Sequence, residues 1–131
     1  MDTSLDDLAS CFRPLAEQLL DGCVGAGIPV RVVDTLRTPA QQEQALTAKR
    51  SWTHHSKHLP QPPENKSEAI DIVPLAILAG GRSDWDPGNS LWDKIGAVGM
   101  ALGLEWGGQW ATPERDPSHF QYKEPSNEGK T

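Results

Sequence analysis

The chain has 131 residues, with 12 Lys and Arg against 18 Asp and Glu, a formal net charge of -6, and 37% hydrophobic residues. This length is typical of one domain with one hydrophobic core. The negative charge argues against nucleic acid and anionic membranes as partners. No apolar run approaches the roughly 20 residues that cross a bilayer, so we expect no membrane insertion. The acidic start MDTSLDDLAS lacks the basic and apolar regions of a secretory signal, which predicts synthesis in the cytoplasm without a signal peptide.

The N-terminal part of the chain has a helical pattern. Apolar residues recur at steps of three and four from Leu5 to Cys23, which predicts one amphipathic helix within about residues 1–27. On one helix, Cys11 and Cys23 would be separated by roughly 18 Å, at about 1.5 Å per residue. A disulfide needs Cα atoms within about 7 Å. We therefore expect two free cysteines that pack as small hydrophobic residues.

The rest of the chain alternates short β-branched segments with helical patterns. Residues 29–34, 69–73 and 118–122 are predicted strands, and residues 38–48 and 91–102 are predicted helices. The 12 Gly and 11 Pro indicate irregular connections between these elements. The predicted fold class is α+β, in which helices flank a small, mostly antiparallel sheet.

Histidines are scarce and clustered. His54, His55 and His58 lie within five positions, and His119 follows Asp116 by three. A catalytic zinc ion takes three protein ligands of His, Asp or Glu type and leaves one position open. Two histidines and one carboxylate meet that need, and a further carboxylate off the metal can transfer the proton. Asp116 suits this second role because it shares a short segment with a histidine.

Several short segments carry a resemblance to a known family. They are Ser56-Lys57-His58, Ala69-Ile70-Asp71, Trp106-Gly107-Gly108 and Asp116-Pro117-Ser118-His119. Together they resemble the signatures of the zinc D-alanyl-D-alanine carboxypeptidase and L-alanyl-D-glutamate endopeptidase family, which includes many bacteriophage endolysins. The resemblance covers about residues 30–122 and implies a hedgehog/D-Ala-D-Ala-peptidase-like fold.

The resemblance also implies a site and a chain organisation. One Zn²⁺ per chain would be held by His58, Asp71 and His119, with Asp116 as the catalytic base. The whole chain, 1–131, would be a single zinc peptidase domain. Its parts would be an N-terminal helix over about 1–27, a catalytic core over about 30–122 and a loose tail over 124–131.

One departure from the family pattern affects the first histidine. The family spaces its first His and Asp by seven positions, whereas His58 and Asp71 are thirteen apart, and Ser67 replaces the motif glycine. The inserted residues are rich in proline, and loop insertions cost little free energy. The insertion leaves His54 or His55 as alternative ligands, although Ser56, two positions before, favours His58.

The resemblance extends to substrate-binding residues. Arg37 would bind a substrate carboxylate or stabilise the oxyanion, because its guanidinium is planar and always charged. Gln42 would face the same cleft or be a solvated helix residue. Ser56 would bind substrate or cap its loop, and Trp110 would form a wall of the cleft or belong to the core.

The implied function is hydrolysis of peptidoglycan stem peptides by a monomeric phage endolysin. Cleavage between L-alanine and D-glutamate is the first choice, and D-Ala-D-Ala carboxypeptidase activity is the alternative. A non-catalytic zinc-containing binding or virion module is a second alternative, which the presence of Asp116 disfavours. The protein would be made in the host cytoplasm and would act in the periplasm or cell wall after holin-type release.

Overall fold

The computed structural model describes residues 2–48, 56–80, 88–111 and 114–124. Four α-helices occur in this part of the chain: α1 (Arg13–Gly25), α2 (Pro39–Thr47), α3 (Leu75–Gly80) and α4 (Ser90–Ala101). Short 3-10 helices cover Leu5–Asp7 and Gly107–Gln109. None of the described helices is long and apolar enough to cross a membrane.

The sheet has four strands: β1 (Val30–Asp34), β2 (Ala69–Pro74), β3 (Glu105–Trp106) and β4 (His119–Gln121). Their order is β1-β2-β4-β3, and each neighbouring pair is antiparallel. The predicted α+β class with a small antiparallel sheet is therefore confirmed. The predicted strands at 29–34, 69–73 and 118–122 correspond to β1, β2 and β4.

The two faces of the sheet have different roles. On one face, Ile70 and Phe120 are partners across β2 and β4 and are fully buried. Helices α1 and α4 cover this face, and Gly99 of α4 lies so close to the Phe120 ring that a Cβ there would collide with it. Side chains alternate between faces along a strand, so Asp71 and His119 project from the opposite face. That opposite face carries the site.

The core is formed by apolar residues from the helices α1, α3 and α4, from the four strands and from the segment before α1. Its most buried members are Leu8, Phe12, Ala16, Leu19, Cys23, Ile70, Ile72, Val73, Ile77, Trp92, Ile95 and Phe120.

The prediction of one continuous N-terminal helix is wrong. A 3-10 helix at Leu5–Asp7, a short extended stretch around Leu8 and a turn over residues 10–12 precede α1, which begins only at Arg13. Cys11 is exposed and Cys23 is buried, and both are free. Both thiols are free, as predicted, but Cys11 is exposed although it was predicted to be buried. The apolar residues before α1 still reach the core, because the extended stretch pairs with the chain at Ser67.

The proline-rich insertion, residues 60–66, lies against the N-terminal stretch that precedes α1. Glu64 accepts hydrogen bonds from Ser10 N at 2.8 Å and Ser10 Oγ at 2.6 Å. Lys66 Nζ donates to the carbonyl of Asp6 at 2.9 Å. Gln61 donates to the Leu59 carbonyl at 2.9 Å, which closes the turn. Among the described residues, the insertion thus contacts the N-terminal stretch and, through Gln61, the carbonyls of Ser56 and Leu59 in the turn that carries His58.

Candidate metal centre

Three site residues form a row across the sheet. Asp71 on β2 is the register partner of His119 on β4 and of Asp34 on β1. A β-bulge between Val32 and Asp34 shifts the register of β1 by one residue. Bulges of this kind redirect side chains next to functional sites. Here the bulge places the Asp34 carboxylate opposite Asp71.

The donor atoms of three buried residues converge on one point. His58 Nε2 and His119 Nδ1 each lie 3.1 Å from Asp71 Oδ1. One ligand atom from each residue fits within 4.8 Å of the others. His58 reaches this point from the turn after Ser56, whose Oγ accepts a hydrogen bond from His58 N at 3.1 Å. The three predicted ligands are therefore adjacent in the fold.

Both imidazoles are oriented by hydrogen bonds on their other nitrogen. His58 Nδ1 lies 2.6 Å from the Thr35 carbonyl, and His119 Nε2 lies 2.8 Å from Gln121 Oε1. An oxygen acceptor at these positions favours the tautomer protonated there. When both histidines are neutral, as metal binding requires, His58 Nε2 and His119 Nδ1 are then the unprotonated nitrogens on the side of Asp71. Outer partners of this kind commonly fix metal-binding histidines.

The site has a surplus of negative charge. Asp34 and Asp71 pair with the guanidinium of Arg37, and Asp116 lies near enough to Asp71 for that charge to raise its pKa. When the histidines are neutral, as metal ligands must be, these three carboxylates and one guanidinium leave two negative charges. Burial by itself would lower the pKa of His119, but its hydrogen bond with Asp71 and the charges of Asp71 and Asp116 raise that pKa to about 9. Burial would likewise raise the pKa of Asp71, and the two histidines instead lower it far below the usual carboxyl range.

This arrangement fits a divalent cation. Two imidazole nitrogens and one carboxylate oxygen are the ligand set of catalytic zinc sites, with a fourth position left for water or substrate. A divalent ion would also neutralise the surplus of two negative charges. The donor chemistry and the charge of the site therefore agree.

Asp116 lies beside the ligands on a short, tightly held segment. Its backbone N donates to the Gly107 carbonyl at 2.9 Å, and its carbonyl accepts from His119 N at 3.1 Å. Its Oδ1 accepts a hydrogen bond from Ser118 Oγ at 3.1 Å. Burial raises the pKa of Asp116, and the charge of Asp71 raises it further. Gly107 is required here, because a Cβ would press against the Asp116 carbonyl.

Comparison with known proteins identifies the family of this chain. A family model described as D-alanyl-D-alanine carboxypeptidase, of the peptidase M15 group, matches residues 47–122. The chain belongs to this family. The matched range includes the three candidate ligands and Asp116.

Two M15-type relatives extend the comparison. The chain is 32% identical over 122 residues to an L-alanyl-D-glutamate peptidase of Listeria phage A118, covering 92% of this chain and 40% of that protein. It thus spans about two fifths of the length of this curated relative. The structure resembles that of Serratia marcescens L-Ala D-Glu endopeptidase ChiX, with a TM-score of 0.65 and 25% identity over 91% of this chain and 83% of that chain.

The structure places the predicted substrate-binding residues of this M15 chain as follows. Arg37 donates from Nε to Asp34 Oδ2 at 2.5 Å, from Nη1 to Gln42 Oε1 at 3.0 Å and from Nη2 to Asp71 Oδ2 at 3.4 Å. Gln42 is buried, so it faces the site and is not a solvated helix residue. Ser56 is also buried and caps the turn that holds His58.

Trp110 is next to the candidate ligands. Its ring centroid lies 5.1 Å from that of His119, and its Nε1 donates to Glu105 Oε2 at 2.8 Å. With Glu105, Gln109 and Lys123 it also lines a cavity of about 320 Å³. Its binding role in this M15 chain stays a prediction, and the alternative ligands His54 and His55 lie outside the described residues.

Three residues that hold the site were not among those predicted from the sequence. Gln121 was identifiable, because residues two apart on a strand share a face and His119 was already assigned. Thr35 acts through its backbone carbonyl, which no side-chain pattern reveals. Asp34 depends on the bulge in β1, so its position relative to Asp71 was not visible in the spacing.

Proposed function

We propose that this chain is a zinc peptidase that hydrolyses peptidoglycan stem peptides, with the bond between L-alanine and D-glutamate as its substrate. The observation that carries the proposal is the convergence of His58 Nε2, Asp71 Oδ1 and His119 Nδ1 in a buried, negatively charged site. Family membership and the activities named for both relatives support it.

His58, Asp71 and His119 would hold the ion through these three atoms. A bound zinc ion would polarise the scissile carbonyl and lower the pKa of a water molecule. The residues around it supply the remaining functions. Gln121 and the Thr35 carbonyl keep both imidazoles oriented, and Trp110 shields the His119 ring from solvent on one side.

Asp116 is proposed as the proton carrier. It takes a proton from the attacking water and passes it to the leaving amine. Efficient carriers have a pKa close to the working pH, and burial raises the pKa of Asp116 in that direction. Ser118 Oγ holds the carboxylate in one orientation through its bond to Oδ1.

Arg37 is proposed to contact substrate as well as protein. A guanidinium has five N–H donors, and three of those of Arg37 bind Asp34, Gln42 and Asp71. Among the described residues, two donors on the η nitrogens have no partner, and we propose that they bind a substrate carboxylate or the oxyanion. This assignment accounts for a cation that is largely buried yet borders the ligands.

Both alternatives differ from the proposal in a measurable way. Terminal D-Ala-D-Ala cleavage agrees with the family description, but the two relatives named above are L-Ala-D-Glu peptidases. A non-catalytic zinc module has no need of a buried carboxylate beside the ligands, and Asp116 is in that position. We also propose action at the cell wall as a monomer, after holin-type release from the host cytoplasm.

The decisive experiment is mass analysis of the products from purified peptidoglycan. We expect new L-alanine carboxyl ends and D-glutamate amino ends. Release of free D-alanine alone would establish the carboxypeptidase instead. The Asp116→Asn variant should keep its zinc and lose activity by at least about 100-fold, whereas Glu114→Gln, an exposed neighbour, should be fully active. A fully active Asp116→Asn variant would remove Asp116 as the proton carrier.

A further inference from the structure

A buried carboxylate behind the site has no role in the proposed reaction. Asp34 is 1% exposed, and its Oδ2 accepts the Arg37 Nε at 2.5 Å. Its Oδ1 is buried and has no hydrogen-bond partner within the described ranges. A buried carboxylate with an unpaired oxygen costs stability. Such a residue at the edge of a site points to a function that outweighs that cost.

Asp34 fixes the guanidinium from behind. Asp34 accepts a hydrogen bond from Arg37 Nε, and Gln42 Oε1 accepts one from Nη1. These two acceptors, on β1 and α2, determine the plane of the guanidinium group. The third nitrogen, Nη2, is then directed at Asp71 Oδ2. Gln42 is itself 2% exposed, so this arrangement is packed in place.

The two carboxylate oxygens of Asp71 have different partners, one towards Arg37 and the other towards the two histidines. Oδ2 faces Arg37 Nη2 at 3.4 Å, while Oδ1 lies 3.1 Å from His58 Nε2 and His119 Nδ1. A carboxylate held in this way offers one oxygen to a metal ion. A carboxylate free to rotate can offer both and occupy the open position that catalysis requires.

We propose that Asp34 is a positioning residue that, through Arg37, restricts Asp71 to binding the metal by Oδ1 alone. The chain Asp34–Arg37–Asp71 then keeps the fourth coordination position open for substrate. Residues around a metal site that orient its ligands typically change affinity or activity by about 10–100-fold when they are replaced. This inference rests on the proposed metal site and concerns how one of its ligands is held.

The test uses Co²⁺ as a spectroscopic probe in place of zinc, since its visible absorption weakens as the coordination number rises. Asp34→Val removes the acceptor for Arg37 Nε at similar volume, and Asp34→Asn keeps an oxygen acceptor without the charge. We expect Asp34→Val to lose absorption intensity and about 10–100-fold in kcat/KM. Asp34→Asn should retain the wild-type spectrum. Identical spectra for wild type and Asp34→Val would overturn the proposal. Equal losses of absorption intensity in Asp34→Val and Asp34→Asn would also overturn it, because they would indicate an effect of charge alone.

Arg37→Lys provides a second route that leaves Asp34 intact. Lysine keeps the charge but lacks the planar fork that contacts three acceptors, so its Co²⁺ spectrum should match that of Asp34→Val. A wild-type spectrum for Arg37→Lys would contradict the relay, even if Asp34→Val fails to fold. Glu68→Gln is the matched control, because Glu68 pairs with Lys57 at 3.5 Å and is not part of this chain of contacts. Its spectrum should be unchanged.

The outcome also separates this inference from the proposed function. A wild-type chain that binds no Co²⁺ or Zn²⁺ would remove the metal site itself. A wild-type chain that binds Co²⁺ and cleaves peptidoglycan, with variants of unchanged spectrum, would remove only the positioning role of Asp34.

Discussion

Asp71 and His119 face each other across the central strand pair, and the Nδ1 atom of His119 lies 3.1 Å from Asp71 Oδ1. The register of two strands therefore determines this distance, because cross-strand partners keep their side chains within a few ångströms. His58 joins the pair from a turn and does not share that constraint. Strand pairing thus positions two of the three candidate ligands.

The first prediction concerns His119. Replacing it by alanine removes one of three ligands, so the zinc content of the purified, gel-filtered protein should fall from about one ion per chain to nearly none. Elemental analysis gives the content, and circular dichroism checks the fold. A variant with its full complement of zinc would rule out His119 as a ligand.

The second prediction concerns Gly107. A methyl group there would press on the Asp116 carbonyl and lie 3.2 Å from Asp116 Cβ and His119 Cβ. Overpacking of this kind typically costs about 1–3 kcal/mol. We expect Gly107→Ala to lower the free energy of unfolding in urea by this amount and to impair hydrolysis by displacing Asp116.

Gly25 provides the matched control for Gly107. It ends α1, and a Cβ there would have no atom within 4 Å. Gly25→Ala should therefore leave activity unchanged and the stability equal or slightly higher. Equal effects of the two substitutions would show that the contact with Asp116 is unimportant.

The third prediction concerns Gln121, which lies 2.8 Å from His119 Nε2. Gln121→Leu removes the acceptor that selects the tautomer, and loss of such a partner typically weakens metal binding about 10–100-fold. Competition with a chelator would measure the affinity. Gln121→Glu keeps an acceptor and should bind at least as tightly as wild type, and Gln18→Leu on the exposed surface of α1 should have no effect.

The fourth prediction concerns pH in the metal-free protein. The pKa of His119 is raised from 6.5 to about 9 in the folded chain. Protonated His119 therefore stabilises the fold fully below pH 6.5, and this contribution is lost as the pH rises through about 9. The difference corresponds to about 3 kcal/mol.

Thermal unfolding in a chelator at pH 6.5, 7.5 and 9 would measure this effect. The midpoint should fall with pH in the wild type, and the slope should be smaller in His119→Gln. Asp71 stays ionised throughout this range because its pKa is lowered, so it adds no slope of its own. A midpoint that rises with pH would contradict the prediction.

Much of the fold was predictable from local patterns. β1, β2, β4, α2 and α4 all lie within one or two residues of the predicted segments, because their apolar spacing matches the period of the element that forms. In the structure, Thr38 forms a capping box with Gln41 at the start of α2.

Other features depended on contacts between distant segments. β3 has only two residues and exists because it pairs with β4. Helix α3 follows Pro74 directly, and its six residues are too few for a helical period to be recognised. The predicted helix before Arg13 is replaced by pairing with Ser67, where tertiary contacts override the helical spacing.

The candidate site shows the same division. The three candidate ligands could be proposed from the sequence, because few residue types bind zinc and the chain has only four histidines. The residues that hold those ligands largely could not, since Thr35 contributes a carbonyl and Asp34 depends on strand register. Local motifs indicate which residue types can bind the metal, whereas the hydrogen bonds that hold those residues depend on tertiary contacts.

The bulge in β1 makes the site, but not the sheet, depend on one residue of strand register. If the regular pairing of Val30 to Val32 with β2 continued without the bulge, Val33 rather than Asp34 would be the partner of Asp71. The sheet and its core would still form, whereas the carboxylate that accepts from Arg37 Nε would be displaced. An evolutionary change that made this strand regular and kept Val33 would therefore alter the site while leaving the fold intact.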